Sequence, residues 1–258
     1  YSISLAGIGK FENALQRVNQ FLLTPKLNEQ SIKAGSYRKR TYEFAIDYQL
    51  KHPASNYNFA PHNMGDSINS KYLEYYPSLT IDGRKMIFTR RVNNDEDFYE
   101  SNYVNGEWAT ATPVKGKLNT NLNEGAQNIS QDGEWIVFTG CNYPEGMGSC
   151  DLYISYKTKN GWTEAQNLGP NVNSDTWESS PSLSPDKRSL YFSSSRQGGY
   201  GGRDIWVSHR NTDGSWSYPE NLGPVVNTSA DEGSAFMYPD NQTLFINSNG
   251  HQGYGMTD

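Results

Sequence analysis

The sequence predicts a mainly β protein made of repeated four-stranded antiparallel sheets behind a short helical segment, and three observations predict it. An acidic turn recurs as TIDG, SQDG, SPDK and YPDN, placing Asp82, Asp132, Asp186 and Asp240 at spacings of 50, 54 and 54 residues. The same spacings separate Asn69, Asn119, Asn173 and Asn227, and again Glu74, Glu124, Glu178 and Glu232, while Trp108, Trp162 and Trp216 keep step at 54 and 54. Several landmarks sharing one period mark a repeat architecture. Composition agrees: 18 tyrosines and 6 tryptophans with a mean hydropathy of -0.78 suit short strands and polar turns better than a helical core.

The elements of one unit follow in order. In the third, Ser180 to Ser184 enters the Pro-Asp turn, and Ser189 to Ser194 forms an apolar strand around Leu190, Tyr191 and Phe192. Gly198 to Gly202 then make a hairpin, where missing side chains permit positive φ. Asp204 to His209 returns with Ile205 and Val207 on one face and Trp206 on the other, the period of a strand. Four antiparallel strands in about fifty residues describe a propeller blade. The blades fall at about 70–113, 120–166, 174–220 and 228–258, the last partial, so an incomplete ring is expected. Residues 57–69 carry NMGDSIN, which matches NLGPNVN and NLGPVVN, and are expected to supply a ring-closing strand.

Before the propeller, residues 1–56 read as helical. Phe11, Leu15, Val18 and Leu22 form one amphipathic stripe ended by Thr24-Pro25, and Ala34, Tyr37, Thr41, Ala45 and Tyr48 form a second. This segment holds eight Lys or Arg against four Asp or Glu, near +4; with a total of -6, residues 57–258 stand near -10. So acidic a body excludes nucleic acid as a partner, because that binding neutralises phosphates with clustered Lys and Arg. The one dense basic run, Arg38, Lys39 and Arg40, reads as a solvated helix face. No stretch is apolar for long enough to predict a membrane-spanning helix.

A residue repeated in every blade is more economically structural than catalytic, since an active site is a single asymmetric constellation. Glu74, Glu124, Glu178 and Glu232 are therefore read as acceptors of backbone N–H groups at the blade junctions. A hard cation held at the channel mouth is the alternative for such carboxylates, without an EF-hand or nonapeptide pattern to favour it. Asp82, Asp132, Asp186 and Asp240 are read as turn residues that bond their own backbone. The hairpins GMGSCD, GYGGRD and GYGMTD lead into strands, not helices, so they lack the context of a phosphate-cradling loop. What varies among them, Tyr200, Arg203 and Tyr254 against Met147 and Ser149, gives the candidate binding positions, because loop tips on a rigid scaffold carry recognition.

Cys141 and Cys150 flank the turn of the second hairpin on antiparallel strands, which predicts a disulfide and an oxidising compartment. Two thiols and four scattered histidines make no zinc set, and neither cofactor nor metal is expected. There is no G-x-S-x-G elbow, and Gly83 and Gly133 directly follow their Asp, one position early for the sialidase Asp-box. Carboxylate pairs for glycoside cleavage stay open, because they are defined in space.

From Asn63 to Asp258 the chain resembles the Pro-Asp type of WD-like repeat found in TolB-like β-propellers. The likeness rests on Glu178, Pro181 to Asp186, the strand ending Phe192-Ser193-Ser194, the glycine hairpin and Asp204-Ile205-Trp206. The first blade departs from it, with Arg90 to Asp97 where later blades have glycines, so its hairpin should differ in shape. Gly9 to Pro25 is similar to the second helix of a tetratricopeptide repeat, with Gly9, Phe11, Ala14 and Pro25 on matching positions. Helices joined to such a propeller by the stretch from Pro61 to Arg91 resemble PorE-like, OmpA-family envelope proteins of the type IX secretion system. That resemblance implies a non-enzymatic scaffold in the periplasm, associated with the outer membrane, whose partners are other envelope or secretion proteins. Peptidoglycan would be reached only through domains outside these residues. The alternatives are a glycan-binding or glycan-cleaving propeller, and a TolB-like accessory that holds a peptide in its channel.

Overall fold

The computed structural model describes residues 1–52 and 61–254, and the chain forms two compact units. The first comprises Tyr1–Pro61 with Ser248–Asp258, the second His62–Asn247.

In the first unit α1 (Ser2–Ala6), α2 (Phe11–Leu22) and α3 (Glu29–Lys51) follow one another. Val18 of the α2 stripe is buried together with Ala14 beside it, and both pack with Tyr42 of α3. Asn28 caps α3 by accepting the Ser31 N–H at 2.8 Å, satisfying one of the orphan donors of the first turn. The helices approach closely at Gly35, where a β-carbon would lie 2.6 Å from the end of the Leu22 side chain. The short α1 was not visible in the sequence, since five residues carry too little periodicity.

The second unit is a series of antiparallel blades. The first contains β1 (Leu73–Leu79), β2 (Lys85–Val92), β3 (Asp95–Val104), β4 (Glu107–Trp108) and β5 (Thr112–Pro113); the short β4 and β5 both pair with β3. The second contains β6 (Asn123–Ile129), β7 (Trp135–Cys141), β8 (Cys150–Thr158), β9 (Gly161–Trp162) and β10 (Gln166–Asn167), again with two short strands on β8. The third is β11 (Glu178–Leu183), β12 (Ser189–Ser194), β13 (Asp204–His209) and β14 (Glu220–Asn221). The fourth has β15 (Glu232–Met237) paired with β16 (Leu244–Ser248). Where four strands were expected per unit, the fourth is split in the first two blades, into β4 and β5 on β3 and into β9 and β10 on β8.

The innermost strands of the first three blades carry the same β-bulge, and the fourth shares its backbone signature. Tyr76, Ala126, Ser180 and Ser234 have φ of 51°, 45°, 54° and 31°, unusual for residues other than glycine, and they recur at the repeat spacing. Between blades lie two apolar clusters. Ile87 and Phe98 pack against Ile136, Phe138 and Tyr153; Val137, Leu152 and Ile154 pack against Leu190, Phe192 and Trp206. Burying each large side chain contributes about 1.5–3 kcal/mol.

Hydrogen bonds then fix blade to blade. Asn119, Asn173 and Asn227 each grip the backbone of one residue in the preceding blade's third strand. The N–H groups of Phe98, Leu152 and Ile205 donate to their Oδ1 atoms at 2.9, 2.8 and 2.7 Å, and their Nδ2 groups donate back to the carbonyls of the same residues, each at 3.0 Å. A side-chain amide carries its acceptor and its donor on two separate atoms, which matches the N–H and C=O of one residue and explains the repeated asparagine. A second set links the inner strands: Ile129, Leu183 and Met237 N–H groups donate to Ser78 Oγ, Asn128 Oδ1 and Ser182 Oγ at 3.0, 2.9 and 3.0 Å.

The expected closing strand at 57–69 lies partly outside the described residues, and its described part, from Pro61, is a turn. Asn63 Oδ1 accepts the Gly65 N–H at 2.8 Å and Asn69 Nδ2 at 3.0 Å. Asn167 and Asn221 make the same bend before Asn173 and Asn227. The residues just ahead of those bends are strands because they bond to β8 and β13; His62–Asn63 have no such neighbour among the described residues.

Candidate interaction face

The first strand of each blade starts where the second ends and the third begins, so the hairpins between second and third strands share one face with the repeated glutamates. Each glutamate is hooked to the residue four before it. Glu74 accepts Ser70 Oγ at 2.6 Å, Glu124 accepts Thr120 Oγ1 at 2.5 Å, Glu178 accepts Ser174 Oγ at 2.6 Å and Glu232 accepts Thr228 Oγ1 at 2.7 Å. The backbone N–H of the same residue also donates in every case. Glu124, Glu178 and Glu232 are fully buried. Their remaining neighbours differ. Arg90 pairs with Glu74 at 2.8 Å and Arg196 with Glu178 at 3.2 Å, each guanidinium lying over aromatic rings of its blade, whereas the Tyr143 hydroxyl donates to Glu124 at 2.6 Å. Burial pushes the Glu124 carboxyl up, against the donors from Thr120 and Tyr143. These carboxylates fasten the strand start to the link before it.

The acidic turns bond first to themselves, and Asp132 also pairs with Lys187 of the next blade. Asp82, Asp132 and Asp186 each accept the hydroxyl two residues earlier at 2.6 Å and the backbone N–H two residues later at 3.0–3.1 Å; Asp240 instead takes the Gln242 and Thr243 N–H groups at 2.8 Å each.

The hairpins carry the differences between blades. In the second blade Cys141 and Cys150 form a disulfide across the base. Met147 N–H donates to Asp151 Oδ2 at 2.6 Å, and Ser149 N–H reaches the Thr176 carbonyl of the next blade at 2.8 Å. In the third, Tyr200 N–H donates to Asp204 Oδ2 at 2.8 Å and Gly202 N–H to the Ala230 carbonyl at 3.0 Å. Burial raises the Asp151 and Asp204 carboxyls, opposed by these N–H groups. The glycines were expected to serve positive φ. Only Gly198, at 91°, does so in these two hairpins. The requirement at the other end is space, since a β-carbon on Gly148 or Gly201 would lie 2.2 or 1.9 Å from the carbonyl oxygen of Thr176 or Ala230. The first blade instead turns tightly through Asn93, φ 59°, with Val92 paired to Asp95.

Held this way, Met147 is 43% and Tyr200 51% exposed. Arg203 lies with its guanidinium carbon 4.6 Å above the ring of half-buried Trp177. Trp177 was missed in the sequence because Leu73, Asn123 and Asp231 occupy its position in the other blades; that very departure from the repeat was the signal. Tyr254 is placed differently from Tyr200. Within the first unit its ring lies 5.7 Å from Phe11, 5.7 Å from Phe44 and 5.8 Å from Tyr48.

The axis is also occupied. The inner strands stand side by side, and the Tyr76 hydroxyl reaches Ser180 Oγ at 3.1 Å and Ser234 Oγ at 3.2 Å, two blades and three blades further on.

Neither a protein-family model nor a curated protein matches the sequence. Among solved structures the chain is similar to TolB from Acinetobacter baumannii, with 16% identity and a TM-score of 0.49 over 73% of this chain and 40% of that one. It is similar also to a putative TolB from Agrobacterium tumefaciens, with 16% identity and a TM-score of 0.46 over 69% of this chain and 59% of that one. An alpha-L-arabinofuranosidase from Lactobacillus brevis gives 14%, 0.47, 68% and 64% respectively. The chain thus spans between 40% and 64% of these neighbours' lengths.

Proposed function

We propose that this chain is a non-enzymatic protein-interaction scaffold of the bacterial cell envelope, which binds partners on the hairpin face of its propeller. The observation that carries this reading is the division of labour among its residues. Every repeated carboxylate is taken up by hydroxyl and N–H donors of its own blade, while the side chains that differ between blades, Met147, Tyr200 and the Arg203–Trp177 pair, stand on backbone locked by Asp151 and Asp204. Rigid loops with variable tips lower the entropic cost of binding.

The Cys141–Cys150 disulfide supports an oxidising compartment, and the periplasm is the one we assign. The finer assignment, an outer-membrane-associated component of a type IX-like secretion or peptidoglycan-tethering complex, follows the sequence resemblance, with tetratricopeptide-like helices as a second docking surface. A peptide threaded through the channel is less favoured, because Tyr76 would have to leave its two serine partners first.

Affinity capture from envelope extract, with the wild-type chain and Tyr200→Ala, Arg203→Ala as baits, tests the proposal. An identified secretion or outer-membrane protein, retained by wild type and lost by the variant, is the expected result. Equal retention by both baits, or recovery of no such protein, overturns it.

A further inference from the structure

We infer that the hairpin tips of the second and third blades are knobs for a helical partner bearing an aromatic-lined groove. The inference rests on the hairpin face being the docking face, and it names the chemistry of what docks there. Met147, Tyr200 and Tyr254 stand at one repeat position, each four residues ahead of an aspartate, Asp151, Asp204 and Asp258. The chain therefore shows three versions of one knob, and the third has a hole.

That hole is built from two helices. Phe44 and Tyr48 lie one turn apart on α3 and meet the Tyr254 ring nearly edge-on, at 79° and 81°, while Phe11 from the start of α2 closes the other side at 57°. Edge-to-face contacts of this kind favour a ring over an aliphatic filler. The backbone beside the knob is pinned as well, with Gln252 Nε2 donating to the Arg40 carbonyl at 2.9 Å.

Tyr200 and Met147 offer the same kind of group, about half exposed. Both are among the exposed large apolar side chains, and both have their own N–H tied down by an aspartate, so little freedom remains to be lost on binding. Tyrosine gives a rigid amphipathic ring, and a methionine thioether fits the edges of aromatic rings in an irregular groove. The partner is therefore a pair of helices with aromatic side chains at i and i+4 on one and a third ring facing them from the other.

The test empties the groove in the full chain and asks whether the knobs of a second copy fill it. Wild type keeps Tyr254 in place and is expected to sediment as a monomer. Tyr254→Ala should convert to a dimer as its concentration rises into the high micromolar range, and adding Tyr200→Ala and Met147→Ala should return it to a monomer. If Tyr254→Ala loses helical circular dichroism, Tyr254→Val replaces it, keeping an apolar filler while vacating the outer part of the groove. A helical, monomeric groove variant overturns the inference, as does a dimer that survives removal of both knobs. Loss of envelope capture by the Tyr200→Ala, Arg203→Ala bait alongside a monomeric Tyr254→Ala chain would reject the helical groove and leave the docking face standing.

Discussion

Three hydrogen-bond donors and one guanidinium converge on the buried carboxylate of Glu178: the Ser174 N–H at 2.8 Å, the Ser174 hydroxyl at 2.6 Å, the Ser194 hydroxyl at 2.7 Å and Arg196 at 3.2 Å. The Arg196 side chain is itself 7% exposed and otherwise donates to the neutral Ser194 Oγ and Val172 carbonyl, so removing Glu178 leaves its charge uncompensated among Phe192 and Trp206. Glu178→Ala is therefore expected to cost about 3–5 kcal/mol, read as a fall in the urea midpoint at unchanged slope. A loss below about 1 kcal/mol would mean that the Ser194 and Val172 oxygens suffice for Arg196 and that the pair is dispensable. A different carboxylate sets an acid limit. The Ser184 hydroxyl, followed by the Arg188 N–H, holds the Asp186 carboxyl below its ordinary value. A depressed folded-state pKa contributes stability above the unfolded value, about 3.9, and that stability disappears as the pH falls through the folded value. The stability gap between wild type and Asp186→Asn should thus be constant near neutrality and close below about pH 4. A gap that widens on acidification would reverse the sign assigned to Ser184.

At the scale of elements, the hairpins are held by contacts with the following blade as much as by their own turns. Gly148 is the sharpest case, since the Thr176 carbonyl occupies the space of its missing side chain. Gly148→Ala should destabilise by about 1–3 kcal/mol through overpacking, whereas Gly169→Ala meets open space and pays only for its φ of 78°. Equal effects in thermal melts would remove the close-approach account. The disulfide closes a short loop of the same hairpin, nine residues apart in sequence, and its replacement by Cys141→Ser with Cys150→Ser should cost about 2–4 kcal/mol. How far this was legible depended on the range of each interaction. The turn aspartates bond their own turns within three residues and the glutamates the link within four, so spacing alone exposed them. The grip of Asn173 on Leu152 spans 21 residues and that of Asn128 on Leu183 spans 55; the repeat marked Asn173 as special without showing what it held. Tyr254 was legible as an equivalent of Tyr200 but not as a resident of the helical unit, because no sequence period connects it to Phe44 or Tyr48.

For the propeller unit as a whole, stability in a repeat protein is expected to be a sum of blade terms and nearest-neighbour interfaces, with each blade sensing only the next. The Asn grips and the Ser78, Asn128 and Ser182 links are all of that nearest-neighbour kind. Tyr76 breaks the rule. Its hydroxyl joins the first blade directly to the third and fourth across the axis, at a bulge where the other blades place Ala126, Ser180 and Ser234, too small to span the gap. The consequence is measurable by a double-mutant cycle. Tyr76→Phe and Ser234→Ala should each lower stability by about 0.5–1.5 kcal/mol, and together by less than their sum, because either one alone already breaks the shared hydrogen bond. Leu190→Ala, which also removes buried contacts in the third blade, should add independently to Tyr76→Phe. Strict additivity of Tyr76→Phe with Ser234→Ala, together with equal additivity for Ser180→Ala, would mean that the axial hydroxyls do not couple the blades. The unit would then unfold as a chain of neighbours, and its channel would be open to an extended ligand without first displacing a tyrosine.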